Sequence, residues 1–312
     1  MEIRNLGQSG LKVSLVGLGC NNFGARLDVA GSRAVIDKAI ELGITLFDTA
    51  DIYGNKGGSE DHLGQILGAR RKQIVLATKF GMPMDEAAGL TGAARRYVMS
   101  AVEASLRRLK TDWIDLYQLH QPDPRTPIEE TLRALDDLVR QGKLRYVGCS
   151  NLKSWQVIES LWAADRRGYE RFVSCQDEYS LVMRGIEADL APAMRAHGLG
   201  LLPFFPLACG LLTGKYRRGQ PLPEGGRITN TQRHADKYLT ERNWSVVEKL
   251  DGFAKQRGRT LLELAFSWLA AKAPVSSVIA GATKPEQVAQ NVAAVGWKLG
   301  ADELAEVDRL SA

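Results

Sequence analysis

Short apolar segments alternate with amphipathic segments along almost the whole chain. Runs rich in branched aliphatic residues predict eight strands, at residues 14–20, 44–48, 74–79, 113–120, 144–149, 172–176, 200–205 and 278–281. Between them, apolar residues recur every three or four positions, which is the helical period. The clearest predicted helices cover residues 33–42, 97–109, 128–140, 155–164 and 261–271. The alternation predicts an α/β fold made of repeated strand–helix units.

Eight such units favour a closed (β/α)8 TIM barrel formed by a single domain, residues 1–312. Residues 2–13 precede the first unit and predict a β-hairpin that turns at "GQSG". An open doubly wound sheet is the competing fold, and it usually carries G-x-G-x-x-G after its first strand. Here the corresponding segment reads "GLGCNNFG", in which the third glycine is not at the required spacing. The barrel is therefore preferred.

Two segments interrupt the alternation. Residues 81–94 predict a long loop after the third strand, and residues 213–243 predict a longer one after the seventh. Long loops in compact domains are commonly binding loops or lids. Both leave the carboxyl ends of strands, where TIM barrels place their active sites.

Composition and charge narrow the class of protein. The chain is 45% hydrophobic and 25% charged, and its net charge of +5 comes from scattered residues. A nucleic-acid-binding protein would show a concentrated basic face. We expect no membrane segment, since no apolar run reaches the roughly 18 residues required for one. The four cysteines lack a metal-binding spacing, so we expect no metal site. They are typical of reduced thiols, and no signal peptide is evident, so we expect a cytoplasmic protein.

Polar residues end three consecutive predicted strands. The second strand ends at Asp48, the third at Lys79 and the fourth at His120, and Tyr53 follows Asp48 in the sequence "FDTADIYG". Alone, each residue has an ordinary interpretation as a turn former, a solvated charge or a structural histidine. Because barrel strands point their carboxyl ends at one face, we expect these four side chains to meet.

Together the four residues predict a device for proton delivery. A phenol is a weak acid near neutrality, but a neighbouring ammonium favours its ionised form and lowers its pKa. Asp48 could hold Lys79 in place, and His120 could orient and polarise a carbonyl oxygen. A tyrosine acid beside a polarised carbonyl suits reduction of an aldehyde or ketone. The hydride must then come from a cofactor.

The chain resembles the aldo-keto reductases over nearly its full length. The matching segments include "FDTADIYG", "LATKFG", "SLRRLKTDWIDLYQLHQPD", "TPIEETLRALDDLVRQGKLRYVGCSN", "FFPLACGLLTGKY" and "IAGATKPEQVAQN". The branch that includes voltage-gated potassium channel β subunits and related bacterial reductases is the most similar. The resemblance implies a TIM barrel that uses NADPH/NADP+, with Asp48, Tyr53, Lys79 and His120 as its catalytic tetrad.

The resemblance also implies a cofactor site along the barrel mouth. Three of its residues, Ser150, Asn151 and Gln176, would hold the nicotinamide carboxamide. The remaining cofactor residues are Phe204, Phe205, Pro206, Leu207, Ala208, Cys209, Lys215, Arg227, Gly281, Thr283, Lys284, Gln287, Gln290 and Asn291. Cys20 and Asn21 would either touch nicotinamide or substrate or pack without a functional contact. Phe205 and Gln290 depart from the serine and glutamate that are frequent in the family, which puts one hydrogen bond and the adenine contact in doubt.

Three functions follow, and they differ in class. The first is NADPH-dependent reduction of a small-molecule carbonyl substrate. The second is a cofactor-sensing regulatory subunit that resembles channel β subunits and turns over slowly. The third, a hydrolase or isomerase barrel, would need metal ligands or a phosphate-gripping loop that the sequence lacks. The sequence leaves open the substrate, the direction of reaction and the oligomeric state.

Overall fold

The computed structural model describes residues 1–312 and contains a barrel of eight parallel strands. The barrel strands are β3 (Val16–Gly19), β4 (Leu46–Asp48), β5 (Val75–Phe80), β6 (Ile114–Leu119), β7 (Leu144–Ser150), β8 (Phe172–Gln176), β9 (Gly200–Leu201) and β10 (Val278–Gly281). They pair in the order β10-β3-β4-β5-β6-β7-β8-β9. Backbone hydrogen bonds from Ser276 N to Leu201 O (2.9 Å) and from Ile279 N to Pro203 O (3.2 Å) close the ring. The predicted fold is confirmed.

Helices surround the barrel and follow the strands in the predicted alternation. They are α1 (Val29–Glu41), α2 (Tyr53–Ile66), α3 (Arg95–Leu109), α4 (Ile128–Arg140), α5 (Ser154–Arg167), α6 (Leu190–Ala196), α7 (Gln232–Tyr238), α8 (Glu241–Lys255), α9 (Leu261–Ala271), α10 (Pro285–Ala293) and α11 (Ala301–Leu310). Their apolar faces pack on the outer side of the strands to form the main core, a cluster of 73 buried residues. This packing stabilises the barrel from outside.

A hairpin closes one end of the barrel. Its strands β1 (Ile3–Asn5) and β2 (Lys12–Ser14) pair antiparallel, as the sequence predicted. Leu6 and Val13 from the hairpin pack with Leu46, Leu116 and Ile279 inside the barrel, and all of these side chains are buried. The amino-terminal end of the barrel is therefore filled, and the large cavity opens at the carboxyl ends of the strands.

Two details of the predicted elements were wrong. The seventh barrel strand, predicted over residues 200–205, extends only over Gly200–Leu201. Pro203 lacks the N–H that a ladder requires, and Phe205 has a φ of 49°, which no strand contains. The predicted loop 213–243 is not continuous, because α7 and the start of α8 lie within it. None of the helices is long and apolar enough to cross a membrane.

Candidate active site

A layer of polar side chains crosses the barrel just above its apolar filling. Leu46, Ala77 and Leu116 belong to the apolar interior cluster, and Asp48, Lys79 and Gln118 stand two residues later on the same strands. Strand side chains alternate between the two faces, so residues two apart point the same way. The strand period itself therefore brings these polar groups to one level.

Lys79 is the centre of this layer and is completely buried. Its Nζ donates to Asp48 Oδ2 at 2.7 Å and to the carbonyl of Thr49 at 2.9 Å. Asp48 also accepts hydrogen bonds at Oδ1 from Gln176 Nε2 (2.8 Å) and Gln118 Nε2 (3.2 Å). Both charges are thus paired and hydrogen-bonded, the condition under which a buried ion pair is tolerated.

A turn with left-handed backbone conformation positions Tyr53. Gly54, Asn55 and Lys56 follow it with φ values of 66°, 60° and 68°, which form a left-handed turn before the regular part of α2. A Cβ at Gly54 would lie 2.4 Å from both Phe23 O and Ser59 N, so glycine is required there. The turn directs Tyr53 over Lys79, with Nζ 5.0 Å from the ring centroid.

Tyr53 and His120 meet edge to face. Their ring centroids are 5.6 Å apart and the planes are inclined at 82°. The backbone carbonyl of His120 accepts from Asn151 Nδ2 at 3.0 Å, which ties the end of β6 to the turn after β7. The imidazole Nδ1 is buried and has no hydrogen-bond partner in the protein. The structure therefore brings Asp48, Tyr53, Lys79 and His120 together, as the sequence predicted.

Burial determines the protonation of both rings. It raises the pKa of Tyr53 above its ordinary value, and the opposing effect of Lys79 is smaller. Lys79 does lower the pKa of Tyr53, as the sequence predicted. Its effect is smaller than that of desolvation, so the predicted decrease in the pKa is wrong for the residue as a whole. Burial, followed by Lys79, lowers the pKa of His120 to about 3. Near neutral pH the site thus contains a protonated phenol and a neutral imidazole.

A second hydrogen-bonded group adjoins His120 at the ends of β7 and β8. Ser150 Oγ donates to Gln176 O at 2.7 Å and accepts from Asn151 Nδ2 at 2.9 Å. Asn151 adopts a left-handed φ of 60°, which Asn tolerates better than most residues. These contacts present amide and hydroxyl groups beside His120.

The entrance opens into a cavity of about 1290 Å³. This exceeds the roughly 300–1,000 Å³ of ordinary ligand pockets, so a long ligand fits better than a small one. The cavity is lined by most of the predicted site residues, namely Asn21, Asp48, Tyr53, His120, Ser150, Asn151, Gln176, Phe204, Phe205, Pro206, Leu207, Cys209, Lys215, Arg227, Gly281, Thr283, Gln287, Gln290 and Asn291.

Four predicted residues do not line the cavity. Lys79 lies beneath Tyr53, and Cys20 and Ala208 are fully buried in the main core. Lys284 is exposed at the beginning of α10, outside the cavity wall. The packing interpretation therefore fits Cys20, whereas Asn21 reaches the cavity.

Cations dominate one part of the cavity. Arg26, Lys215, Arg227 and Arg233 line it, and none of them forms an ion pair with a carboxylate. Arg227 instead donates to Asn21 Oδ1 (3.4 Å) and Asn22 Oδ1 (3.2 Å), so it reaches from the loop after β9 to the end of β3. Burial, followed by Arg26 and Arg227, lowers the pKa of Lys215. Unpaired cations that repel one another suit an anionic ligand.

Sequence reasoning missed several residues of this site. Gln118 could have been found from strand alternation, because Leu116, Gln118 and His120 are spaced two apart. The other residues come from loops and from helices α7 and α9, and no sequence pattern indicates which residues of these segments face the cavity. They include Asn22, Arg26, Met82, Gln121, Arg233 and Glu263.

Comparison with known proteins identifies the family of the chain. The sequence profile of the Aldo/keto reductase family matches residues 15–312. The chain is 38% identical over 304 residues to a probable voltage-gated potassium channel subunit beta of Arabidopsis thaliana, covering 95% of this chain and 91% of that protein. It is 34% identical over 325 residues to an L-glyceraldehyde 3-phosphate reductase of Escherichia coli (99% and 92%). An uncharacterized oxidoreductase of Bacillus subtilis, YrpG, is 36% identical over 305 residues (95% and 91%).

The chain belongs to the aldo/keto reductase family. The family and the relatives named as reductases or oxidoreductases support an oxidoreductase. The similarity also includes proteins named as channel subunits, which agrees with the branch that the sequence motifs indicate.

Proposed function

We propose that this protein reduces an aldehyde or ketone to an alcohol with NADPH, and that Tyr53 donates the proton. One observation carries the proposal: the Tyr53 and His120 rings meet inside the cavity, directly above the buried Lys79–Asp48 ion pair. A proton donor, a group that can bind a carbonyl oxygen and a cation below the donor are thus in contact.

The cavity suits a dinucleotide phosphate. Its unpaired cations, among them Lys215 and Arg227, would hold phosphate groups. Ser150, Asn151 and Gln176 would bind a carboxamide at the end near His120, since they present both donors and acceptors. Thr283, Gln287 and Asn291 would contact the adenosine end. When bound, NADPH supplies the hydride that no side chain can provide.

The protein's own residues manage the proton. Burial keeps the Tyr53 phenol protonated, so it can give its proton to the oxygen of the forming alcohol. Lys79 stabilises the phenolate that remains, and Asp48 keeps the ammonium in place. The neutral His120 has one ring N–H to donate to the carbonyl oxygen, which orients the substrate without adding a charge.

A regulatory role is the second candidate. It is favoured by the relative named as a potassium channel subunit beta, and in that role the protein would sense the cofactor and turn over slowly. The assembled Tyr53–His120–Lys79–Asp48 group favours the reductase. Turnover rate separates the two candidates, because both bind NADPH and only the reductase should reach enzymatic rates of roughly 1–10³ s⁻¹.

Two measurements test the proposal. Titration with NADPH and with NADH, monitored by the intrinsic fluorescence of the protein, should show saturable binding and a higher affinity for NADPH. Loss of reduced-nicotinamide absorbance should then accompany addition of aldehydes and ketones, in a panel of aromatic aldehydes, dicarbonyls, sugar aldehydes, phosphorylated aldehydes and ketosteroids. Binding without turnover of any panel member would favour the regulatory role, and no binding would refute both.

A further inference from the structure

A buried cluster of polar residues lies behind the turn that carries Tyr53, outside the cavity. It consists of Asp51 before the turn, Glu60 in α2, Tyr97 and Arg108 in α3, and Tyr117 in β6. Asp51, Glu60, Tyr97 and Tyr117 are each at most 6% exposed, and none of the five lines the cavity. The proposed reaction leaves this cluster without a role.

The cluster holds the Tyr53 turn from both ends. The backbone N–H of Asp51 donates to Lys79 O at 3.1 Å, and the Asp51 Oδ2 accepts from the Tyr97 hydroxyl at 3.1 Å. Beyond the turn, Arg108 packs against Gly57 so closely that a Cβ there would lie 2.7 Å from Arg108 Cδ. Helix α3 thus supports the segment from Asp51 to Gly57, and Tyr53 lies within that segment.

The charges in this cluster are unequal. It contains two carboxyl groups and one guanidinium, and the guanidinium of Arg108 forms an ion pair with Glu60. Arg108 Nε donates to Glu60 Oε2 at 2.7 Å, and Thr78 Oγ1 donates to Glu60 Oε1 at 2.6 Å. Glu60 is therefore paired and fully hydrogen-bonded.

The carboxyl group of Asp51 has fewer hydrogen-bond donors and no ion pair. Its Oδ2 has one neutral phenol as donor, and its Oδ1 has no partner, as is also true of the Tyr117 hydroxyl. An ionised carboxylate in this position would be buried without a counterion, which is costly. Burial, followed by the charge of Glu60, raises the pKa of Asp51 to about 7, while the Tyr97 hydrogen bond, Arg108 and the backbone N–H of Ile52 act in the opposite direction.

We propose that Asp51 is a positioning residue, which in its neutral form fixes the turn carrying Tyr53 and, on losing its proton, reduces proton donation by Tyr53. The inference rests on the proposed reductase function. The Asp51 carboxyl faces Glu60 from α2, Tyr97 and Arg108 from α3, and Tyr117 from β6. The Lys79–Asp48 pair lies on the cavity side of the same backbone.

The direction in which kcat changes with pH follows from the negative charge that Asp51 gains on ionisation. At acidic pH Asp51 is neutral and both of its neighbours, Glu60 and the Tyr97 hydroxyl, are accommodated. Above neutrality the new carboxylate and Glu60 repel each other, and this repulsion acts two residues before Tyr53. A negative charge near a phenol also raises the pKa of the phenol and makes it a weaker acid. We therefore expect kcat to fall as the pH rises through neutrality, while the KM for NADPH stays unchanged.

Three substitutions test this assignment in the full-length protein. Asp51→Asn keeps an oxygen for Tyr97 and has no proton to lose, so its kcat should vary by less than about twofold where the wild-type kcat falls by about tenfold. Asp51→Ala loses the hydrogen bond and should lower kcat at every pH. Tyr97→Phe removes a donor that favours the ionised carboxyl, so the fall should move to higher pH. As the control, Asp61→Asn removes an exposed carboxylate from α2 and should retain the wild-type profile.

A spectroscopic measurement provides a readout other than activity. The infrared difference between the wild type and Asp51→Asn should contain the C=O band of a protonated carboxyl group under mildly acidic conditions, and the band should vanish as the pH rises through about 7. If that band is absent, or if Asp51→Asn retains the wild-type fall in kcat, the inference is wrong although the reductase function stands. If the wild type turns over no carbonyl compound, the proposed function is wrong and the positioning role fails with it.

Discussion

The ammonium of Lys79 lies 2.7 Å from Oδ2 of Asp48, and the two side chains are 0% and 4% exposed. Such a pair is tolerated in the interior when further hydrogen bonds satisfy both charged groups. Thr49 O takes a second ammonium hydrogen, and Gln118 and Gln176 donate to the other carboxylate oxygen. The proposed proton donor Tyr53 thus stands over a fixed charge rather than a mobile one.

Removing one partner of this pair should destabilise the fold more than removing both. We expect Lys79→Met to lower the free energy of unfolding by about 3–5 kcal/mol, because it leaves the Asp48 carboxylate buried without a counterion. The Asp48→Asn/Lys79→Met double variant should lose less than Lys79→Met alone. Urea denaturation of the wild type, Asp48→Asn, Lys79→Met and the double variant measures these differences in the free energy of unfolding. A double variant less stable than Lys79→Met would contradict the expectation.

Tyr53→Phe should separate chemistry from binding. The change removes the phenolic proton and keeps the ring that faces His120, so NADPH should bind with nearly unchanged affinity. Loss of a general acid typically lowers kcat by about 10² to 10⁴-fold. Fluorescence titration and a steady-state assay with one aldehyde check both parts. A kcat close to that of the wild type would remove Tyr53 from the mechanism.

The neutral His120 should make the protein sensitive to acid. Its pKa is about 3 in the folded protein against 6.5 ordinarily, so below pH 6.5 the unfolded chain takes up a proton that the folded chain does not. Stability is therefore lost as the pH falls, by at most about 1.4 kcal/mol per pH unit from this residue. Comparing urea midpoints of the wild type and His120→Asn across this range should show a weaker dependence in the variant. His197→Asn, which changes an exposed histidine, should match the wild type.

Arg227 should contribute more to NADPH affinity than Lys284 does. Arg227 lines the cavity, whereas Lys284 is exposed outside its wall. A charge-assisted hydrogen bond contributes roughly 1.5–3 kcal/mol, which corresponds to about 10- to 150-fold in Kd. We expect Arg227→Ala to weaken NADPH binding within this range and to narrow the preference over NADH, with a smaller effect for Lys284→Ala. Arg218→Ala is the control, since Arg218 pairs with Glu241 and Glu248 away from the cavity. An unchanged NADPH/NADH ratio in both test variants would show that neither residue reads the 2′-phosphate.

The segment between Tyr216 and α7 should be protected by cofactor. Tyr216 and Ile228 are buried anchors, and the residues between them are mostly exposed, with positive φ at Gly219 and Gly225. Exposed loop tips of this kind are preferred cleavage sites. Trypsin should therefore cut after Arg217 and Arg218 quickly in the free protein and slowly with saturating NADPH. Equal rates in both states would show that the segment does not close over the cofactor.

The sequence determined the barrel and the level of its polar layer. Alternating strand and helix periods specify parallel strands whose carboxyl ends share one face, and a strand period of two places Asp48 above Leu46 and Lys79 above Ala77. These are local rules that each segment obeys by itself. For that reason the meeting of Asp48, Tyr53, Lys79 and His120 could be predicted from the order of residues along the chain.

Only the tertiary structure decided which loop residues face the cavity and how charged the buried groups are. Lys284 and Arg26 are both basic residues near helix starts, yet one lies outside the cavity and the other lines it. Asp51 in "TADIYG" has the composition of a turn residue, and its burial beside Glu60 and Tyr97 depends on helix α3, more than 40 residues away in sequence. Loop paths and desolvation depend on the packing of distant segments, and the pKa of a carboxyl group follows its surroundings rather than its neighbours in the chain.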